Sequence, residues 1–104
     1  MTKVIVQPNY SITNANKGAV VVRQLDQLII VLPESILPLC KHLAEGVAGD
    51  VGDIRVLTSA DEPCNYPISL QQDTGQFTVY ATDILYFSVD AANQLSKDLA
   101  LYAT

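Results

Sequence analysis

The chain offers few side chains that could form a reactive pair. Its one histidine, His42, lies two residues after Cys40 in the stretch LCKH, and Cys64 is the other cysteine. Residues two apart on a helix point to different faces, so Cys40 and His42 are poorly placed to act together, and Cys64 could reach His42 only through the fold. We expect Cys40 to be a core thiol and His42 an exposed polar residue. An enzyme that uses Cys64 or Cys40 is the least favoured interpretation.

Metal and cofactor sites are not indicated either. A structural zinc site takes four Cys or His ligands, and this chain has three such residues. The stretch GDVGD brings Asp50 and Asp53 close together but lacks the ligand number of a calcium loop. There is no glycine-rich phosphate loop and no GxSxG motif, and nothing indicates that the adjacent Asp61 and Glu62 are desolvated for acid–base work. We predict no catalytic residue, no metal and no cofactor, and therefore a protein that is not an enzyme.

Tyrosines and acidic residues are better candidates for a binding surface. The chain has five tyrosines and no tryptophan, and tyrosine suits interfaces because it buries a large ring while its hydroxyl stays polar. We expect Tyr86 in the core, whereas three other tyrosines and the acidic residues between positions 50 and 62 could form a recognition surface. The predicted partner-binding residues are Asp50, Asp53, Asp61, Glu62, Tyr66, Tyr10 and Tyr80.

The charge balance narrows the class of partner. The formal net charge is −5, and the six Lys and Arg residues are scattered along the chain. Binding a phosphate backbone relies on clustered basic side chains, so direct nucleic-acid binding is disfavoured. An acidic stretch favours a basic partner surface; the alternative is a solvated loop that keeps the protein in solution.

Length and hydropathy favour one compact domain over residues 1–104. The 104 residues are too few for two domains with separate cores, and 49% of them are hydrophobic. Apolar surface that one small domain cannot bury predicts a homo-oligomer, most simply a dimer. No apolar run is long enough to span a membrane, and MTKVIVQPNY lacks the features of a signal peptide, so we expect a cytoplasmic protein with reduced cysteines.

The hydrophobic pattern predicts an α+β fold: a mostly antiparallel sheet of about six strands with two amphipathic helices packed on one face. Strands are indicated by runs such as KVIVQ and QFTVYA, and the stretches NANKG and DTG are typical of hairpin turns. The continuous apolar run QLIIVL predicts a central strand buried on both faces, and DILYFS predicts another central strand. We interpret AGDVGD as a flexible connection and SADEPCNYP as a surface loop.

The spacing of apolar residues predicts two helices. The first begins near Pro33 and carries an apolar stripe from Ile36 to Val47, although Pro38 predicts either a kink or a loose turn before a helix that begins at Pro38. The second has Ser88 as its N-cap and Asp90 in its first turn.

The two strand-to-helix segments resemble each other. Residues 28–44 and 84–100 align with four identities in 17 positions, so a weak internal repeat of 1–49 and 50–104 is one interpretation. The other is that any two strands that lead into amphipathic helices share this spacing.

Two non-enzymatic functions fit these observations. In compactness, acidity and lack of catalytic motifs, the chain resembles small accessory proteins of phages and mobile elements, anti-CRISPR proteins among them. That resemblance implies a protein-binding module that inhibits or modulates a larger host or defence protein. The alternative is an oligomer that sequesters a nucleotide-like small molecule, with ligand-binding residues Arg55, Arg23, Asn65 and Tyr66.

Overall fold

The computed structural model describes residues 4–7, 9–15, 18–45, 49–57, 65–73 and 75–103, with the backbone alone at residues 7, 49–57, 65–68 and 73. These ranges contain eight strands, a short 3₁₀ turn and two helices. The strands are β1 (Val4–Gln7), β2 (Tyr10–Asn14), β3 (Val20–Gln24), β4 (Gln27–Val31), β5 (Gly49–Leu57), β6 (Asn65–Asp73), β7 (Gln76–Tyr80) and β8 (Ile84–Ser88). The 3₁₀ turn (Pro33–Ser35) leads into helix α1 (Ile36–Glu45), and helix α2 (Val89–Ala100) follows β8 directly.

Each strand pairs antiparallel with the next one along the chain. Strands β1–β4 form a four-stranded sheet and β6–β8 a three-stranded sheet, and β5 joins them through two register pairs with β4 and six with β6. The α+β class is therefore confirmed, whereas the number of about six strands in one sheet is not matched. Strand β2 precedes the predicted NANKG turn, and its buried residues Tyr10 and Ile12 alternate with the more polar Ser11 and Thr13.

Two predicted connections turn out to be strands. The segment interpreted as the flexible connection AGDVGD contributes residues 49–53 to β5, and the last three residues of the predicted loop SADEPCNYP begin β6. Glycine, proline and aspartate are depleted in strands, which explains both errors, but pairing between β5 and β6 overrides that local preference. The pairing shifts register between Val51 and Arg55, where this run of unfavourable residues lies.

The loose turn predicted before helix α1 is present as the 3₁₀ turn Pro33–Ser35, but the helix begins at Ile36 and not at Pro38. Because the helix begins at Ile36, Pro38 is its third residue, and the first four N–H groups of a helix have no intrahelical acceptor. The missing N–H of Pro38 therefore removes no hydrogen bond between residues of α1. In α2 the predicted cap is confirmed, since Ser88 Oγ accepts a hydrogen bond from the Ala91 N–H at 3.1 Å.

The core lies between the helices and one face of the strands. Alternate residues of β2, β3, β4, β7 and β8 are buried in a single cluster with the apolar stripes of α1 and α2. The helices contact each other through Ser96 Oγ, which donates to the Cys40 carbonyl at 2.7 Å, and Tyr102 Oη donates to the Ile12 carbonyl at 3.1 Å. These bonds fix α2 to both α1 and the first sheet.

The order of elements occurs twice in the described residues: four strands and a helix, then four strands and a helix. Strands β3 and β7 begin at Val20 and Gln76, and the similar segments of the sequence begin at Leu28 and Ile84, so both pairs are 56 residues apart. In the part of the chain that the structure describes, neither helix has the length and apolar character needed to cross a membrane.

Candidate protein-interaction surface

Strand β8 exposes apolar side chains on one face. Leu85 and Phe87 point into the core and are fully buried, whereas Ile84 is 39% exposed and Tyr86 is 52% exposed. The prediction that Tyr86 lies in the core is therefore wrong, and DILYFS, predicted to be a central strand, lies at the end of the strand order. Both helices pack on the Phe87 side, so Tyr86 lies on the face away from the core, where its register partner Thr78 is buried.

Tyr80 extends this apolar face across the neighbouring strand. It is the register partner of Ile84 in β7, and directly opposed residues of an antiparallel pair lie on the same face. Tyr80 is partly exposed, and its predicted part in a recognition surface stays a prediction. Tyr80, Ile84 and Tyr86 form a continuous group.

The turn between β3 and β4 is tied to β8 beside this group. The Gln24 side-chain amide donates to the Tyr86 carbonyl, and its Oε1 accepts a hydrogen bond from the Tyr86 N–H at 2.7 Å. Asp83 Oδ2 accepts a hydrogen bond from the Leu28 N–H at 2.9 Å. Gln24 thus bonds both backbone groups of Tyr86, as a neighbouring strand would.

Leu25, the first residue of that turn, is 91% exposed and has a φ angle of 56°. It is the only non-glycine residue with positive φ in the part of the chain that the structure describes. A left-handed backbone costs an L-residue about 1–2 kcal/mol, and two-residue hairpin turns with positive φ at this position prefer glycine. The chain thus holds a large apolar side chain in water at a position that favours Gly. We call the group Leu25, Tyr80, Ile84 and Tyr86 the β8 patch.

Tyr10 is not at the surface, contrary to the prediction. Its side chain is buried, its hydroxyl donates a hydrogen bond to Asp98 Oδ2, and its ring meets that of Phe87 edge to face at a centroid distance of 5.9 Å. Gln94 Nε2 donates to the other oxygen of the Asp98 carboxylate at 3.0 Å. Burial, together with the hydrogen bond and the negative charge of Asp98, raises the pKa of Tyr10 above its ordinary value. This cluster links β2 to α2 and is structural.

Cys40 lies in the core, as predicted. Burial raises the pKa of its thiol to about 11, so the thiol is protonated at neutral pH and unreactive as a nucleophile. His42, predicted to be exposed, is half-buried, and its Nδ1 is buried with no hydrogen-bond partner among the described residues. Cys64 lies outside the described residues. No group of three potential metal-ligating side chains occurs within the ranges given above.

The other predicted site residues fall into two groups. Asp61 and Glu62 lie outside the described residues, and Asp50 and Asp53 belong to β5, where the backbone alone is described. Arg23 is exposed on β3.

The remaining residues of the small-molecule alternative lie along the β5–β6 ladder. Arg55 is the register partner of Pro67, while Tyr66 and Asn65 pair with Val56 and Leu57. The three residues are therefore within two register positions of one another.

Sequence reasoning missed three of the four β8 patch residues, Leu25, Ile84 and Tyr86. In DILYFS both alternating sets are apolar, so period-two alternation indicates a strand but does not show which set faces the core. Leu25 could have been found, because a two-residue gap between paired strands predicts a tight turn in which leucine is unusual.

No family model, no curated protein and no solved structure matches the chain.

Proposed function

We propose that this chain is a small, acidic, non-enzymatic protein-binding module that docks onto a larger protein through the β8 patch and inhibits or modulates it. The observation that supports this most directly is Leu25, a fully solvated leucine at a backbone position that favours glycine. Strain of this kind is found where function requires a particular side chain.

The composition of the β8 patch favours a protein partner. Interface hot spots are rich in tyrosine and are formed by apolar side chains that become fully desolvated on binding. Tyr80 and Tyr86 offer two large rings with polar hydroxyls, and Leu25 projects from a turn that is fixed to β8 by Gln24. A partner with an apolar pocket for Leu25 and a flat rim for the two rings fits this shape.

The charge of the chain favours a basic partner. A net charge of −5 attracts a positively charged protein from a distance and raises its association rate, an effect that salt screens. Host or defence proteins that bind nucleic acid have such surfaces, and they are the class of target that we infer.

The proposal is tested by comparing exposed apolar residues inside and outside the β8 patch. We expect Tyr86→Ser to weaken binding to the isolated partner about 10- to 100-fold, since tyrosine hot spots contribute about 2 kcal/mol or more. Leu37→Ser and Leu101→Ser remove apolar side chains of similar exposure from α1 and from the end of α2, and we expect affinity within about twofold of the original chain for each. The partner is first recovered from a lysate by affinity purification, and affinities are then measured by calorimetry at low and high salt.

Leu25→Gly separates function from stability within the same experiment. We expect it to raise the free energy of unfolding by about 0.5–1 kcal/mol, because glycine removes the left-handed strain at a small entropic cost, and to weaken binding about 10-fold. A variant that is less stable, or that binds as well as the original chain, would contradict a binding role for Leu25. If Tyr86→Ser and Leu37→Ser retain equal affinity, the β8 patch is not the interface.

The β5–β6 ladder gives a second candidate function, the sequestration of a nucleotide-like molecule. It is favoured by the proximity of Arg55, Asn65 and Tyr66 along the β5–β6 register. Native mass spectrometry of the protein purified from its source would then show a retained ligand mass, and Arg55→Ala would lose it. A ligand-free spectrum, with no nucleotide that raises the melting temperature, would reject this candidate.

A further inference from the structure

Strand β1 is an open sheet edge: it pairs with β2 on one side, and no described strand pairs with its other side. We propose that β1 pairs antiparallel with β1 of a second copy of this chain, about a two-fold axis that passes beside Ile5, so that the two sheets become continuous. The inference goes beyond the proposed function and does not involve the β8 patch.

The directions of the backbone groups follow from the ladder between β2 and β3. Ala15 donates its N–H to the Ala19 carbonyl at 2.8 Å, just beyond the end of that ladder. Hydrogen-bonded and non-hydrogen-bonded pairs alternate along an antiparallel ladder, so the pair Thr13 and Val21 is hydrogen-bonded as well. Ile12, one residue away, therefore directs its backbone N–H and C=O toward β1.

The partner of Ile12 in β1 is Ile5. Ile5 thus directs its backbone groups toward β2, and its neighbours Val4 and Val6 direct theirs toward the open edge. In the described strand these are the four backbone groups available for pairing: two N–H donors and two C=O acceptors.

A two-fold axis beside Ile5 uses all four groups of each copy. It places Val4 of one copy opposite Val6 of the second copy, and Val6 opposite Val4, so that two hydrogen-bonded pairs form. Ile5 then faces Ile5 of the second copy on the core side of both sheets. Directly opposed residues of an antiparallel pair lie on the same face of the sheet. A shift of the pairing by one residue is therefore excluded, because it would place core-side residues opposite outward-facing ones.

Side-chain exposure and charge support a second copy as the occupant. Val4 is 57% and Val6 74% exposed, and the pairing brings these four valines together on the outward face. Strands β1 and β2 contain no charged residue, so two copies meet here without local repulsion despite their net charge of −5. Monomeric proteins protect edge strands by keeping them short or by placing a charge or a proline within them; β1 is short, but VIVQ contains neither a charge nor a proline.

Strand β8, at the opposite end of the sheet, differs from β1 in the bonding of its edge-facing backbone groups. At β8, the Gln24 side chain already bonds the Tyr86 N–H and C=O. The chain thus bonds both edge-facing backbone groups of Tyr86 with its own side chain, whereas no described strand pairs with the open side of β1.

The pairing is short, so the dimer is expected to be weak. Four residues per copy bury less area than a stable dimer requires, and we expect a dissociation constant on the order of 100 µM. The dimer would be populated at high local concentration.

Sedimentation equilibrium of the purified chain tests this directly. Between about 10 and 1000 µM we expect the weight-average mass to rise from near 11.3 kDa toward twice that value. Val6→Pro removes an edge-facing N–H while leaving the β1–β2 hydrogen bonds intact, and we expect it to stay monomeric throughout. Val6→Thr keeps both the N–H and a β-branched side chain, and it should dimerise within about threefold of the original chain.

Amide hydrogen exchange of the original chain provides a test that does not depend on whether a variant folds. At the highest concentration we expect the Val4 and Val6 amides to exchange more slowly than at the lowest, with no change at Tyr86. The inference is overturned if the chain stays monomeric at 1000 µM, which is the result expected if the edge instead accepts a strand of another protein. It is also overturned if the exchange rates of the Val4 and Val6 amides do not change with concentration. Tyr86→Ser should dimerise normally and Val6→Pro should bind the partner normally, so failure of one proposal is distinguishable from failure of the other.

Discussion

Replacing Phe87 with alanine is expected to lower the free energy of unfolding by about 3–5 kcal/mol. The Phe87 ring is fully buried and packs edge to face on Tyr10, so its removal leaves a cavity between β8 and β2 and loses an aromatic pair. A loss of this size is a large part of the stability of a 104-residue domain. Urea denaturation followed by circular dichroism measures it.

Tyr86, the residue before Phe87, supplies the control for this substitution. Tyr86→Ala removes a ring of similar size from the outward face of the same strand, and we expect a loss of no more than about 1 kcal/mol. Its backbone hydrogen bonds to Gln24 do not involve the tyrosine side chain. Equal losses for the two variants would mean that both faces of β8 are buried, and the β8 patch would then not exist.

Replacing Asp98 with alanine is expected to lower the free energy of unfolding by about 2–4 kcal/mol. The carboxylate is buried and accepts hydrogen bonds from Tyr10 and from Gln94, so its removal leaves the buried Tyr10 hydroxyl without this acceptor. Asp90→Ala is the matched control, because Asp90 is an exposed aspartate in the first turn of the same helix. We expect it to cost at most about 1 kcal/mol through the helix dipole.

A double-mutant cycle shows whether the bond between Tyr10 and Asp98 accounts for this loss. We expect Tyr10→Phe to cost about 1–2 kcal/mol alone and much less in the Asp98→Ala background, which gives a coupling free energy of about 1 kcal/mol or more. Additive effects would contradict a direct bond.

The same pair predicts sensitivity to alkaline pH. The pKa of Tyr10 is raised in the folded state, whereas in the unfolded chain it has its ordinary value near 10. The stability that depends on a protonated Tyr10 is fully present below pH 10 and is lost as the pH rises toward the folded pKa. Between about pH 9 and 11 we expect the stability of Tyr10→Phe to fall less steeply than that of the original chain. Parallel pH profiles would rule out this role for Tyr10.

Local signals were sufficient for several parts of the fold. The Ser88 cap, the hairpin whose turn contains Gly75 with a φ of 74°, and the apolar stripe of α2 each depend on residues that are close in sequence. The α+β class followed from the alternation of such elements. These features need no distant contact, so composition and periodicity were enough to predict them.

The binding surface was less predictable because it depends on distant contacts. Tyr10 and Tyr86 both lie in alternating β segments, yet Tyr10 bonds Asp98, 88 residues away, and Tyr86 points outward. Which of two apolar sets in a strand faces the core is decided by the side on which the helices pack, and no local pattern contains that information.

The sequence by itself determined the acidic charge, the α+β class, the capped second helix and the lack of a recognisable catalytic motif, because these are properties of composition or of short segments. The tertiary structure alone decided that Gly49–Leu57 is a strand, that Tyr10 is buried, that Leu25 is held in a left-handed conformation and that β1 is an open edge. Each of these depends on pairing or packing between residues far apart in the chain. Such contacts outweigh local propensities, which for residues other than proline are worth at most about 1 kcal/mol per residue.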